Sequence, residues 1–363
     1  MAAKPVFTLP EDAAHLYLAS LEVSGFRRLN GICFPFKPGL NLISGPNASG
    51  KSSLLDLVQL IRCFGSGEHY FRRYWHQLEA NDFKTFGQTT RIKVRMHLTW
   101  GEAQGVDWSF EWFYPKKHNI RERFALTRPG GLAPLEFVND PGEKEAWAWV
   151  GGAPIRVSKG QFSSVFVELL RGDIPPGPHA AALKALDRWI HHIYDLPIQV
   201  ATFHWSREEG LASYDIAGYL AKLREPQREK IARALQRLDF DVTLLHVKTE
   251  KEDGEPLEDH LFVVDREGRP FPHLHACGGL KRMLRFEAAM GLPAEGGLLL
   301  IDEVGNGLDD VNRLALFHKL GSLARVQVLA TTPRRPQEPV AGTHHLMMTK
   351  TRGQVPVRVS VGC

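Results

Sequence analysis

Apolar and polar residues alternate in LYLASLEV, Leu16 to Val23, with the two-residue period of a half-buried strand; Ser24-Gly25 follows as a turn signal. Leu40 to Ile43 is a continuous apolar run leading into a glycine-rich loop. The next stretch, KSSLLDLVQLIRCF, carries its apolar residues at helical spacing, so residues 16 to about 64 predict strand, loop and helix. From Arg91 the period returns to two. Ile92, Val94, Met96, Leu98 and Trp100 point one way, and Lys93, Arg95, His97 and Thr99 the other. DWSFEWFY repeats the pattern with Trp108, Phe110 and Trp112, and AWAWV with Trp147 and Trp149. Between Gly/Pro turns this predicts an antiparallel meander that buries one face, these aromatics included. A base-stacking platform would also use such aromatics, but core packing already accounts for the alternation.

Beyond Val165 the pattern turns helical, with a break at Asp173-Ile174-Pro175-Pro176-Gly177-Pro178. Helices are expected near Ala180–Tyr194 and Ser213–Leu238, the second punctuated by Pro226. Val242–Val247 and His260–Val264 read as short strands flanking the charged turn EKEDGEP. The last block holds an apolar strand in GLLLIDE, a helix near Val311–Leu323, a strand at Val326–Ala330 and an alternating edge strand in VPVRVSV. Pro and Gly interrupt the whole middle of the chain, which excludes long coiled-coil arms.

At roughly 150 residues per domain, a chain of 363 residues suggests two or three lobes. A hydrophobic fraction of 43% is enough for a substantial core. Lys and Arg number 45 against 41 Asp and Glu, a net charge of +4 that permits a nucleic-acid partner without demanding one. No apolar run approaches the ~20 residues of a membrane-spanning helix. The start, MAAKPVFTLPEDAAHLY, lacks the apolar core of a signal peptide. Cys33, Cys63, Cys277 and Cys363 are scattered, with no CxxC pair, so neither a disulfide framework nor a zinc ribbon is expected. The chain reads as cytoplasmic, with no membrane partner.

GPNASGKS, Gly45 to Ser52, fits the phosphate-loop pattern G-x-x-x-x-G-K-[ST]. Its residues Gly45, Pro46, Asn47, Ala48, Ser49 and Gly50 would wrap phosphates with backbone N–H groups at a helix N-terminus. Lys51 would reach the β- and γ-phosphates, the Ser52 hydroxyl would hold Mg²⁺, and Ser53 completes the stretch. The apolar strand in LLLIDE ends in Asp302, which suits a Mg²⁺ carboxylate. The adjacent Glu303 is placed to orient or deprotonate the attacking water. ATP and Mg²⁺ are the cofactors these residues imply.

GPNASGKSS, followed far downstream by LLLIDEVGNGLDD, resembles the ABC-type ATPase heads of the RecF/SMC-like class, and in particular the compact AAA-labelled bacterial ATPases of recombination and anti-phage systems. LYLASLEVSGFRRLNGICFPFKPGLNLISGPN and HLHACGGLKRMLRF also resemble theirs. Both ends of the chain, about half of it, carry the likeness. The fold it implies is α/β: a split P-loop head with an antiparallel β subdomain and an inserted mixed helical lobe. The halves would span residues 1–160 and 270–363, with the lobe at 161–269. The resemblance further implies two heads sandwiching ATP, as a homodimer or a heteromeric pair, with Asp309 in the loop that crosses to the other head.

Two positions depart from the class. The signature Ser-x-Gly falls on Ala276-Cys277-Gly278 or on Cys277-Gly278-Gly279. The second register, Cys277, Gly278 and Gly279, is preferred because Lys281-Arg282 then occupies a basic pair common in the class. Thr331-Thr332 precede Pro333 where the class has a switch histidine. Both changes weaken γ-phosphate sensing.

Other candidates are weaker. His191-His192 and His344-His345 lack carboxylates at ligand spacing, so ordinary histidines are expected rather than a metal site. KLREPQREKIARALQR carries Lys222, Arg224, Arg228, Lys230, Arg233 and Arg237, which suits a solvated helix face first and a phosphate-backbone contact second. The favoured reading is an ATP-binding, ATP-hydrolysing, dimerising switch acting on DNA or on a separately encoded effector such as a nuclease. A RecF-like DNA loader and a regulatory subunit with little hydrolysis are the alternatives.

Overall fold

The computed structural model describes residues 16–67, 91–100, 105–113, 120–127, 135–139, 145–150, 153–157, 164–171, 178–196, 216–250, 258–290, 297–323, 325–335, 340–350 and 357–362. Residues 173–177 of the expected helix break, 213–215 of an expected helix start and 251–256 of the charged turn lie outside these. The chain divides by contact into two units: residues 1–193, 295–302 and 320–363, and residues 194–294 and 303–319. No helix among the described residues is long and apolar enough to cross a membrane.

The first unit holds an eight-stranded antiparallel sheet in the order β2-β1-β4-β5-β6-β7-β8-β9. Its strands are β1 (Tyr17–Ser24), β2 (Ile32–Pro35), β4 (Arg91–Thr99), β5 (Gly105–Phe113), β6 (Ile120–Thr127), β7 (Leu135–Asn139), β8 (Ala146–Val150) and β9 (Ala153–Val157). The alternation in β4 and β5 buries Val94, Met96 and Leu98 beside Trp108, Phe110 and Trp112, as the two-residue period requires. Helix α1 (Lys51–Ser66) lays its apolar stripe on this face, and the ring of Phe64 lies 5.2 Å from that of Phe110.

AWAWV follows the same period in the opposite phase. Ala146 and Ala148 are buried, whereas Trp147 and Trp149 are 41% and 37% exposed. The expectation that these tryptophans share the buried face is therefore corrected. Alternation fixes the period but not its phase, and pairing with β7 sets which residues face the core.

A second sheet, ordered β10-β14-β15-β3-β16-β17, contains β3 (Leu40–Ser44), β10 (Ile193–Leu196), β14 (Leu298–Ile301), β15 (Gln327–Thr332), β16 (Thr343–Lys350) and β17 (Val357–Gly362). Strands β14, β15, β3 and β16 run parallel, and β17 closes the edge antiparallel. Every residue of β3, β14 and β15 is buried, which explains why these strands read as continuous apolar runs. Gln327, buried at the start of β15, joins the two sheets: its amide donates to the carbonyls of Leu18 (2.8 Å) and Lys37 (3.0 Å) and accepts from Leu18 N–H.

Helices α2 (Val165–Arg171) and α3 (Pro178–His191) pack against α1, and Phe166, Leu183, Leu186 and Ile190 belong to the same core. This packing keeps residues up to 193 in the first unit, so the contact boundary does not fall at the expected 160. The helix expected to reach Tyr194 stops at His191, where β10 begins two residues on.

The second unit holds α4 (Ile216–Lys222), α5 (Glu225–Arg237), the antiparallel strands β11 (Leu244–Glu250), β12 (Glu258–Val264) and β13 (Pro270–Pro272), and helix α6 (Gly278–Ala289). It also takes most of α7 (Asp310–Gly321). Pro226 sits in the first turn of α5, where its missing N–H costs no hydrogen bond, so it starts that helix rather than breaking it.

Candidate nucleotide site

In the first unit, the carboxyl ends of β3, β14 and β15 lie side by side, the place where open α/β sheets bind ligands. Gly45 leaves β3 at φ +153°, and a Cβ there would stand 2.5 Å from the Met348 carbonyl oxygen, so only glycine fits. The loop tip Pro46, Asn47 and Ala48 is exposed, whereas Ser49 and Gly50 are buried and α1 starts directly after them. Ser49 Oγ is buried with no hydrogen-bond partner. Lys51 is buried in the first turn, its Nζ donating to the carbonyls of Gly45 (2.8 Å) and Pro46 (3.0 Å). Ser53 follows in the same turn.

Ser52 and Asp302, 250 residues apart in the chain, meet here: Ser52 Oγ donates to Asp302 Oδ2 at 2.8 Å. Thr331, at the end of β15, donates its hydroxyl to the other oxygen, Asp302 Oδ1. Asp56, one turn after Ser52, pairs with Arg27. Burial pushes its carboxyl above the ordinary range; Arg27 opposes that shift and the charge of Asp302 adds to it.

In the second unit, Cys277 is the N-cap of α6. Its Sγ accepts from Leu280 N–H at 3.4 Å, and Gly278 and Gly279 form the first turn. Arg282, one turn on, is partly buried, with one guanidinium nitrogen lacking a hydrogen-bond partner; burial lowers its pKa and the charge of Glu303 opposes this. Glu303 adopts φ +47°, unusual for a residue with a side chain, and its carboxylate accepts from Asn306 Nδ2 at 2.9 Å. Asp309 caps α7: its two oxygens accept from Asn312 N (2.8 Å) and Asn312 Nδ2 (2.7 Å), and these bonds hold its carboxyl below the ordinary range.

Residues 40–334 match the family profile described as "AAA domain, putative AbiEii toxin, Type IV TA system". The chain belongs to this family. Among curated proteins, this member of the AAA-domain family is 37% identical over 46 residues to the DNA replication and repair protein RecF of Symbiobacterium thermophilum; the match covers 13% of this chain and 12% of that protein. It is 25% identical over 139 residues to the chromosome partition protein Smc of Synechocystis, covering 34% of this chain and 11% of that protein. A crystal structure of an Smc head bound to the C-winged helix domain of ScpA superposes with a TM-score of 0.49 at 14% identity, over 95% of this chain and 97% of that one. Membership of the AAA-domain family is in keeping with the parallel sheet and the phosphate loop of this chain.

The residues present fit a nucleotide and a divalent cation. Gly45 leaves space that a Cβ would fill, Ser49 Oγ is a buried unpaired group, and Lys51 supplies a cation at the loop. Ser52 and Asp302 pair a neutral and an anionic oxygen, the donor set that Mg²⁺ takes from a phosphate loop and its partner strand. The structure thus brings Gly45–Ser53 together with Asp302 in one unit and sets Cys277–Gly279, Glu303 and Asp309 in the other. Sequence reasoning missed Thr331 as a holder of Asp302, Asn306 as a holder of Glu303, and the Arg27–Asp56 pair. Thr331 was in view only as part of the Thr-Thr-Pro departure; its role depends on β15 lying beside β14. His344 and His345 alternate along β16, His344 facing the Pro35 carbonyl at 3.1 Å, with burial lowering the pKa of both.

Proposed function

We propose that this chain is an ATP-dependent switch. Gly45–Ser53 hold the phosphates of ATP, Ser52 and Asp302 hold Mg²⁺, and Glu303 takes a proton from the water that attacks the γ-phosphate. Cys277, Gly278, Gly279 and Asp309 close on the nucleotide of a second head, so that two heads pair while ATP is bound and part after hydrolysis. The partner head is a second copy or a related chain, and the output falls on DNA or on a separately encoded effector, with anti-phage defence as the setting. A cytoplasmic location belongs to this reading and suits the free thiols of Cys33, Cys63 and Cys277. The observation that supports it most is the Ser52–Asp302 hydrogen bond at the ends of β3 and β14.

Lys51→Ala tests the nucleotide site. Loss of the only lysine in the loop should weaken ATP binding at least about tenfold, roughly 1.4 kcal/mol, by calorimetry beside the wild type. Unchanged affinity would overturn the assignment.

A second reading, slow turnover in a regulatory head, is favoured by the signature position. The thiol of Cys277 stands where the class has a hydroxyl, and it is occupied in capping α6. Pro333 follows Thr332 where the class has a histidine. Under this reading binding and pairing are retained and turnover is slow with every partner.

A further inference from the structure

The outward face of the eight-stranded sheet carries a row of residues fixed by register. Glu22 stands opposite Arg95, Arg95 opposite Ser109, Ser109 opposite Arg123, Arg123 opposite Val138, Val138 opposite Trp147 and Trp147 opposite Arg156. Directly opposed residues share a face, so Arg95, Arg123, Trp147 and Arg156 lie on one side of the sheet. Strands are about 4.8 Å apart, which places Arg123 roughly 10 Å from Arg95 on one side and roughly 10 Å from Trp147 on the other. Trp149 stands two residues along β8 from Trp147, about 7 Å away on the same face.

The charges of this face are unevenly satisfied. Glu111 is shared by Arg91 and Lys93 (both 3.4 Å), Asp107 faces His97 at 3.0 Å, and Glu145 pairs with Arg156. Arg95 and Arg123 are exposed and have no ion pair among the described residues. They border a depression of about 430 Å³ whose lining also includes Glu22, Lys93, Ser109, Glu111 and Arg121, so cations outnumber carboxylates there, and Glu136 stands opposite Trp149 in the register. The tryptophans break the ordinary burial order: in β8 the smallest apolar side chain faces the core and the largest faces solvent. A strand selected for packing alone would place them the other way.

We propose that this face binds single-stranded DNA, with Arg95 and Arg123 contacting phosphates and Trp147 and Trp149 stacking on successive bases. Charge complementarity selects a polyanion, and two neighbouring indoles select bases that are free to unstack, which a duplex does not offer. The proposal rests on the DNA arm of the switch reading and names the form of DNA. It uses no residue of the nucleotide site.

Fluorescence anisotropy of a labelled oligothymidylate of about 16 nucleotides tests it on the full chain. Trp147→Ala and Trp149→Ala should each weaken binding about fivefold or more, and Trp147→Phe should restore most of the loss, because stacking tolerates any aromatic face. Arg95→Glu with Arg123→Glu should weaken binding further and flatten its dependence on salt. ATP binding, measured in parallel, should be unchanged in all four variants, so loss of the switch reading and loss of this one are distinguishable. No binding of the oligonucleotide by a wild type that binds ATP would overturn the proposal and leave the face to a protein partner. Equal affinity in the tryptophan variants, or a duplex of the same length binding as tightly as the single strand, would also overturn it.

Discussion

Glu122 is fully enclosed at the inner face of β6, and three groups donate to its carboxylate: Trp108 Nε1 (2.8 Å), Val165 N (2.8 Å) and Ser164 Oγ. Burial pushes its pKa from the ordinary 4.5 to about 7, with the three donors opposing the shift. Because the folded value lies above the unfolded one, the stabilising contribution is complete below about pH 4.5 and is lost as pH rises through about 7. The amount at stake is on the order of 3 kcal/mol. Glu122→Gln cannot titrate, so the melting temperature of the wild type relative to this variant should fall between about pH 5 and about pH 8. A difference that stays constant over that range would remove the titration from Glu122. The two-residue period puts Glu122 on the face of Phe124 and Leu126, but nothing in RERFAL says what meets its carboxylate there; Ser164, 42 residues on, and the first residue of α2 do. Lys51, Ser52 and Asp302 were legible because the phosphate loop is local and because Asp302 ends an apolar strand. Thr331 and Asn306 were not, since each acts on a carboxylate that only the fold or a tight turn brings to it.

Helix α5 shows how one stretch of charges divides once it has neighbours. Its sequence offers four cations, yet Arg228 donates to the carbonyls of Leu220 (3.2 Å) and Leu223 (2.8 Å), which caps the carboxyl end of α4. Arg233 pairs with Glu229 four residues earlier. Lys230 and Arg237 keep exposed heads, while Ile231, Ala232 and Leu235 are buried on the opposite side. The expected solvated face is therefore present, and Arg228 has a structural task that charge counting could not detect. Arg228→Ala should cost about 1–2 kcal/mol in denaturant unfolding, since two carbonyls lose a charged donor. Lys230→Glu with Arg237→Glu should change stability by no more than about 0.5 kcal/mol. If both changes cost the same, the capping role is wrong. Among strands, β2, β6, β7, β9, β10, β13 and β16 were not named in advance. Strands β2 and β10 are only four residues long, and THHLMMTK in β16 has too weak an alternation to separate strand from loop. The phase of β8 was misread for a related reason: Ala and Trp both qualify as apolar, so the pattern AWAWV does not say which of them the core takes.

At the scale of the whole molecule, the residues expected to serve the nucleotide fall into two contact units, each described by itself. Asp302 closes the last stretch of β14 in the first unit and Glu303 opens a segment of the second. The sequence made the two halves of the head visible as motifs but not this boundary, because α2 and α3 join the first unit by packing on α1. In the proposed switch Mg²⁺ and phosphate are held by Ser52, Lys51 and Asp302, while water activation falls to Glu303. Replacing the latter should then separate binding from turnover. Glu303→Gln keeps the length of the side chain and its acceptor oxygen toward Asn306 but cannot take a proton. ATP affinity should remain within a few-fold of the wild type, while hydrolysis falls by about 10²–10⁴. With hydrolysis blocked, the ATP-bound pair of heads has no route to part, so light scattering should show the dimer accumulating in ATP and monomer in its absence. Turnover equal to the wild type would remove Glu303 as the base. Retained ATP binding without any dimer would show that the head functions singly and that Cys277, Gly278, Gly279 and Asp309 serve only as the caps and turns seen in α6 and α7.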